Sequence, residues 1–172
     1  AVPAIGNTPA QPAVPAIQLD STQPRMLDET ASQLVRHLEH PNGWWRDTAQ
    51  RLLVLKQDRS VVPALQKLAT TGSSIEARFH ALWTLEGLRA LDAALVREQM
   101  KDANPRMRVQ AIRASETLYK AGDRSLGSDY ERLTEDPDVD VAIQAMLTMN
   151  RWNVANSPAA IKASPSYHDG RV

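Results

Sequence analysis

Four segments of this sequence can be laid over one another. They are WRDTAQRLL (45–53), ARFHALWTL (77–85), MRVQAIRAS (107–115) and VDVAIQAML (139–147). In this register Arg46, Arg78, Arg108 and Asp140 fill one column, and Ala49, Ala81, Ala111 and Ile143 fill another three residues on. The steps between copies are 32, 30 and 32 residues. In a helical chain, a period of that size dictates stacking. One helical hairpin cannot bury its apolar face alone, so neighbouring hairpins lean on one another and share a continuous core. Small side chains in the second column allow adjacent layers to approach closely.

The pattern between residues 27 and 152 is helical throughout. Apolar residues recur at three- and four-residue steps, and the alternation of a strand is weak. Helices are expected near 30–39, 44–57, 61–70, 75–88, 92–101, 105–121, 128–135 and 137–150. Thr30-x-x-Gln33, Ser73-x-x-Glu76 and Ser128-x-x-Glu131 have the spacing of capping boxes, which satisfy the free backbone donors of a helix start. Asn104-Pro105 and Asp136-Pro137 each set a cap residue before a proline in the first turn. The expectation is an all-α solenoid of about four hairpins.

The flanks read differently. Residues 1–26 are rich in proline and alanine, with AVPAI at 1–5 and again at 13–17, and such spacing favours extended backbone. Residues 153–172 form a second irregular, extended tail. The domain reading is therefore an arm at 1–26, a repeat domain at 27–152 and a tail at 153–172. The chain opens on Ala1 with no signal-peptide pattern, and is expected to be a mature or excised piece of a longer product.

DANPRMRVQAIRA (102–114) and EDPDVDVAIQA (135–145) resemble the D-x-x-P-x-V-R-x-x-A core of short HEAT-like repeats. LEHPNGWWRDTAQRLLVLKQDRSVVPAL, with ARFHALWTLEGL after it, is similar to the HEAT-like segment of large bacterial secreted dehydrogenases. Those proteins resemble quinoprotein sugar dehydrogenases and carry a β-propeller before the helical segment and a cytochrome c domain after it. The first repeat departs from the core, with two more residues between Pro41 and Arg46 than between Pro105 and Arg108. This resemblance implies an extracytoplasmic setting, periplasmic or secreted, and an electron-transfer context. It transfers no quinone or haem ligand, because neither a propeller nor a CxxCH is present.

Composition narrows the functional classes. Twenty basic and twenty acidic residues cancel, which argues against a nucleic-acid module built on clustered Lys and Arg. There is no cysteine, hence no thiolate metal site, haem attachment or thiol nucleophile. No apolar run approaches the roughly 20 residues that span a bilayer. His37, His40, His80 and His168 have no metal-ligand spacing, and His80, three residues before Trp83, reads as a satisfied helix-contact residue. His37 and His40 read as helix C-terminal capping groups. Asp136, Asp138 and Asp140 resemble half of a calcium loop that lacks its Gly and distal Glu.

Two groups remain as interaction candidates. Trp44, Trp45, Arg46 and Asp47 follow a Pro-Asn-Gly turn and form a partner-contact corner. Trp45 is expected to point between the first two repeats, continuing the stripe Trp45, Ala49 and Leu53, while Trp44 covers the open end. Arg46, Arg78, Arg108 and Asp140 are expected to form an inter-repeat ladder, with an Arg108–Asp140 ion pair. The expected function is non-catalytic: a scaffold with no cofactor or metal of its own that positions protein domains or subunits. Two alternatives stand beside it, a free-standing HEAT-like adaptor and a HEAT-like enzyme acting on nucleic acid or bilin.

Overall fold

Short polar side chains start most of the helices in this computed structural model, which describes residues 25–154 and Lys162. In chain order the helices are α1 (Ala31–His37), α2 (Gly43–Lys56), α3 (Val62–Thr71), α4 (Ile75–Gly87), α5 (Ala93–Gln99), α6 (Pro105–Lys120), α7 (Gly127–Leu133) and α8 (Val139–Trp152). Short 3-10 turns at Met26–Asp28 and Arg59–Val61 precede α1 and α3. No strand occurs among the described residues. The expected extended arm and tail lie outside the described residues, except for Arg25, Met26, Asn153, Val154 and Lys162.

The caps explain where the helices begin. Thr30 and Gln33 close a reciprocal capping box at α1, with the Thr30 amide 2.8 Å from Gln33 Oε1. Asn42 caps α2 by accepting from the Trp44 amide at 2.9 Å, and Asn104 caps α6 by accepting from the Arg106 amide at 3.0 Å. Three expected caps are corrected. α4 is capped by Ser74, not Ser73, because Ser74 Oγ is the acceptor for the Ala77 amide. α7 begins a residue before Ser128 with no side-chain cap. α8 is capped by Asp138, which accepts from the amides of Asp140 and Val141, leaving Asp136 free for another role.

The chain folds into four antiparallel hairpins: α1 on α2, α3 on α4, α5 on α6 and α7 on α8. The second helices then stack in order, α2 on α4, α4 on α6 and α6 on α8. One apolar core runs through all four layers, from Leu34 and Leu38 through Leu53, Leu65, Leu82 and Leu85 to Met107, Ile112 and Tyr130. Burying each such side chain contributes on the order of 1.5–3 kcal/mol. This core reaches past both expected domain boundaries, to Met26 and Val154, which are 2% and 5% exposed.

Aligning the layers on their caps corrects the repeat register. Asn42, Ser74, Asn104 and Asp138 are equivalent, so the last step is two residues longer than the sequence comparison gives. The small-residue column is Ala49, Ala81, Ala111 and Ala145, each fully buried where second helices meet. Ile143, placed there by the sequence, is only half-buried. The residue equivalent to Arg46, Arg78 and Arg108 is the buried Ala142, not Asp140. Gly87 marks another close approach, where an added Cβ would lie 2.5 Å from Val54 Cγ2.

Candidate partner interface

Each arginine of the ladder sits four residues after its cap, on the first turn of a second helix, and turns back over the loop. Arg46 Nη1 donates to the carbonyls of His40 and Pro41 at 2.7 and 2.9 Å. Arg108 Nη1 repeats this with Asp102 and Ala103 at 2.8 and 3.3 Å. Arg78 Nε instead donates to the Ala69 carbonyl at 2.9 Å. The other end of the fork crosses to the next layer. Arg78 Nη2 pairs with Asp102 and donates to Gln99 Oε1 at 2.9 Å, and Arg108 Nη2 pairs with Asp136 at 2.7 Å.

The expected Arg108–Asp140 pair is therefore corrected. The acids lie two residues before each cap, on the loop, and not on the helix. Asp102 and Asp136 also accept from the amides of Asn104 and Asp138 at 2.8 and 2.9 Å, so one carboxylate shapes the turn and closes the layer. Burial pushes the Asp102 carboxyl up. The hydrogen bonds from Arg78 and the Asn104 amide, with the charges of Arg78 and Arg108, outweigh it and hold the pKa below the usual value. Sequence reasoning missed both acids, although an Asp two residues before an Asn or Asp cap is a visible signal.

Further polar links tie the layers together. His80 Nδ1 lies 2.7 Å from Gln50 Oε1 across α2 and α4. Trp83 Nε1 donates to Gln110 Oε1 at 2.9 Å across α4 and α6, and Thr148 Oγ1 donates to Glu116 Oε1 at 2.7 Å across α6 and α8. Arg97 and Asp129 join α5 and α7 at 2.9 Å. Each link spans one layer, and together they hold the stacking direction that apolar contacts alone leave loose.

Trp45 is half-buried and packs against the apolar core, and its ring also meets His37 at 5.1 Å and His40 at 5.0 Å, both inside the first hairpin. His40 stacks on the indole, with 25° between planes, whereas His37 is tilted by 42° and stands in the last turn of α1. His37 Nε2 lies 2.8 Å from Glu29 Oε2, and His40 Nδ1 accepts from the Asn42 amide at 3.0 Å. Trp44 sets its ring edge-on to Trp45 at 5.8 Å and stays 54% exposed. Asp47 turns toward the second layer, 3.9 Å from His80 Nε2.

Trp44 belongs to a wider surface. Along the outer side of the second helices, Leu55 and Leu147 are also exposed, and Phe79, Val109 and Ile143 are half-buried. Between α4, α6 and α8 this surface dips into an open cleft of about 400 Å³, lined by Phe79, Arg106, Val109, Asp138, Asp140 and Ile143 among others. Arg106 lies over the Phe79 ring at 5.5 Å and 3.8 Å from Glu76. Asp140 lines the cleft, Asp138 caps α8 and Asp136 binds Arg108, so the three acids serve separate purposes. No group of three or more His, Cys, Asp or Glu side chains is arranged to hold a metal among the described residues. No helix among them is long and apolar enough to cross a membrane.

These observations define a helical-repeat solenoid of four cross-linked layers. No protein-family model matches the chain, and no curated protein matches it.

Proposed function

We propose that this chain is a non-catalytic HEAT-like scaffold that holds other protein domains or subunits in register. The observation that carries the reading is a contrast between the two sides of the stacked second helices. The second helices are locked to one another by buried alanines and polar links, yet their outer side keeps Trp44, Leu55 and Leu147 more than half exposed. A stiff array with exposed apolar anchors supports protein docking better than turnover. The contact group at the first layer is Trp44, Trp45, Arg46 and Asp47. The resemblance of residues 38–91 to secreted dehydrogenases supports a setting in an extracytoplasmic dehydrogenase–cytochrome assembly. On this reading the partners are proteins, and the chain itself holds neither cofactor nor nucleic acid.

Site-specific photo-crosslinking tests the reading. A photo-crosslinking amino acid is introduced singly in place of Trp44, Leu147 and Leu27 in the product of the full open reading frame. Cross-links from 44 and 147 to a flanking domain or co-purified subunit, with none from 27, are expected. Uniform labelling of all three, or of none, overturns the reading. A propeller before this segment and a CxxCH after it would support the dehydrogenase setting. A stop codon near Val172, with a signal peptide before Ala1, would favour the free-standing adaptor.

A further inference from the structure

We infer that Arg46 is a carboxylate-binding site, taking an Asp or Glu side chain from an extended segment of a partner protein. The inference rests on the scaffold reading and names the chemistry of its first contact.

Arg46 and Arg108 are held alike. Each sits four residues past an asparagine cap, and each divides Nη1 between the two carbonyls that precede that cap. This clamp fixes the plane of the guanidinium; in Arg108 the Nη2 it leaves over meets the Asp136 carboxylate of the next layer, and Arg78 Nη2 meets Asp102. Arg46 Nη2 lies beside Gly43 of its own helix, 3.5 Å from where a Cβ would stand there. Arg46 Nη2 meets no acceptor among the described residues; its buried Nε has none either, a feature it shares with the paired Arg108.

The reason lies in the loop ahead of α4. Residues 72–74 join α3 to α4, whereas 100–104 and 134–138 join the next two pairs. In the shorter loop Gly72 occupies the place of Asp102 and Asp136. A Cβ there would come within 2.6 Å of the Leu68 carbonyl oxygen and 3.0 Å of Arg78 Cγ. The tight turn therefore admits no acid at that position. Ser73 beside it donates to Glu39 at 3.2 Å, and Asp47 is turned to His80, so neither acid pairs with Arg46.

With Nη1 held by two carbonyls and Nε buried, Arg46 keeps one donor group, Nη2, and a charge-assisted hydrogen bond to a carboxylate oxygen is the strong use of it. The same helix turn carries the exposed Trp44, which offers a flat apolar face to the residue beside that carboxylate. An acidic residue flanked by apolar ones, on a chain extended over the loops entering α2 and α4, matches both features.

The test follows the Arg46 Nε–Hε and Trp44 indole NMR signals while the intact chain is titrated with a capped Ala-Leu-Glu-Leu-Ala peptide at about 0.15 M salt. Binding about tenfold tighter than that of the Gln analogue is expected, the size of one charged hydrogen bond. Equal affinity for the two peptides overturns the inference. So does free acetate that moves the signals as far as the peptide does. Glu39→Gln that shifts the Arg46 signal without peptide also overturns it, since Glu39 would then be the counter-ion. Cross-links from position 44 without a Glu preference sink this site and leave the scaffold reading intact. A Glu preference without cross-links sinks the scaffold reading alone.

Discussion

Arg108 Nη2 and Asp136 Oδ1 lie 2.7 Å apart, across the step from the third hairpin to the fourth, with side chains only 13% and 7% exposed. That carboxylate also accepts from the Asp138 amide at 2.9 Å, on the turn that starts α8. One side chain thus couples the local turn to the stacking of layers.

Replacing Asp136 by Ala leaves the Arg108 charge buried without its partner and removes the acceptor of the turn. A loss of about 3 kcal/mol in unfolding free energy is expected from urea denaturation. Asp140→Ala, at the exposed position the sequence suggested as the partner, is expected to cost less than about 1 kcal/mol. Equal losses at the two positions would contradict the observed pairing.

The register of the last repeat can be checked by volume. Ala145 is fully buried between α6 and α8, so Ala145→Leu forces the helices apart and should destabilise by about 1–3 kcal/mol. Ile143 lines the open cleft, and the enlargement Ile143→Phe should cost less than about 1 kcal/mol there. Thermal melts of the two variants would separate the alignments.

His80 makes stability depend on pH. Burial lowers its pKa below the usual 6.5, the Arg46 charge adds to that, and Asp47 and Glu76 oppose it. The unfolded chain therefore takes up the proton at higher pH than the folded one. This contribution is complete above about 6.5 and is lost as pH falls from there through the lower folded value. His80→Gln is expected to remove that part of the slope when Tm is measured from pH 7.5 to 5 (an experimental range of about this width brackets the histidine window). An unchanged slope would count against it.

Tyr130 is fully buried, and its hydroxyl lies 2.8 Å from Ser115 Oγ. Desolvation pushes the phenol up to about 12, against the opposing effect of its hydrogen bond with Ser115. Absorbance titration is expected to show one tyrosine that ionises last, and Tyr130→Phe to remove that step. A change of about 1 kcal/mol in stability should accompany the lost hydrogen bond.

Most of the helical plan was legible because local chemistry sets it. Thr30 with Gln33, and Asn104 with Pro105, announce helix starts in four letters, and α1 and α6 begin there. The period of roughly thirty residues announced the stacking. The last repeat misled because VDVAIQAML aligns on its apolar letters two residues out of step, and Asp138 rather than Asp136 is the cap. Both acids can cap a helix, and the choice falls to Arg108, which holds Asp136 on the loop. The spacing of Trp45 from Ala49 and Leu53 marks an inward stripe, and Trp45 does pack against the core, but its ring contacts with His37 and His40 were not legible from that spacing.

By itself the sequence determined that this chain forms short helices in pairs, with a core shared between pairs, since caps and apolar periodicity act over a few residues. Which arginine meets which carboxylate, and which arginine meets none, was decided only by the tertiary structure. Those contacts join residues more than twenty positions apart, and a loop two residues shorter before α4 is enough to replace an acid with Gly72 and leave Arg46 Nη2 without a carboxylate among the described residues.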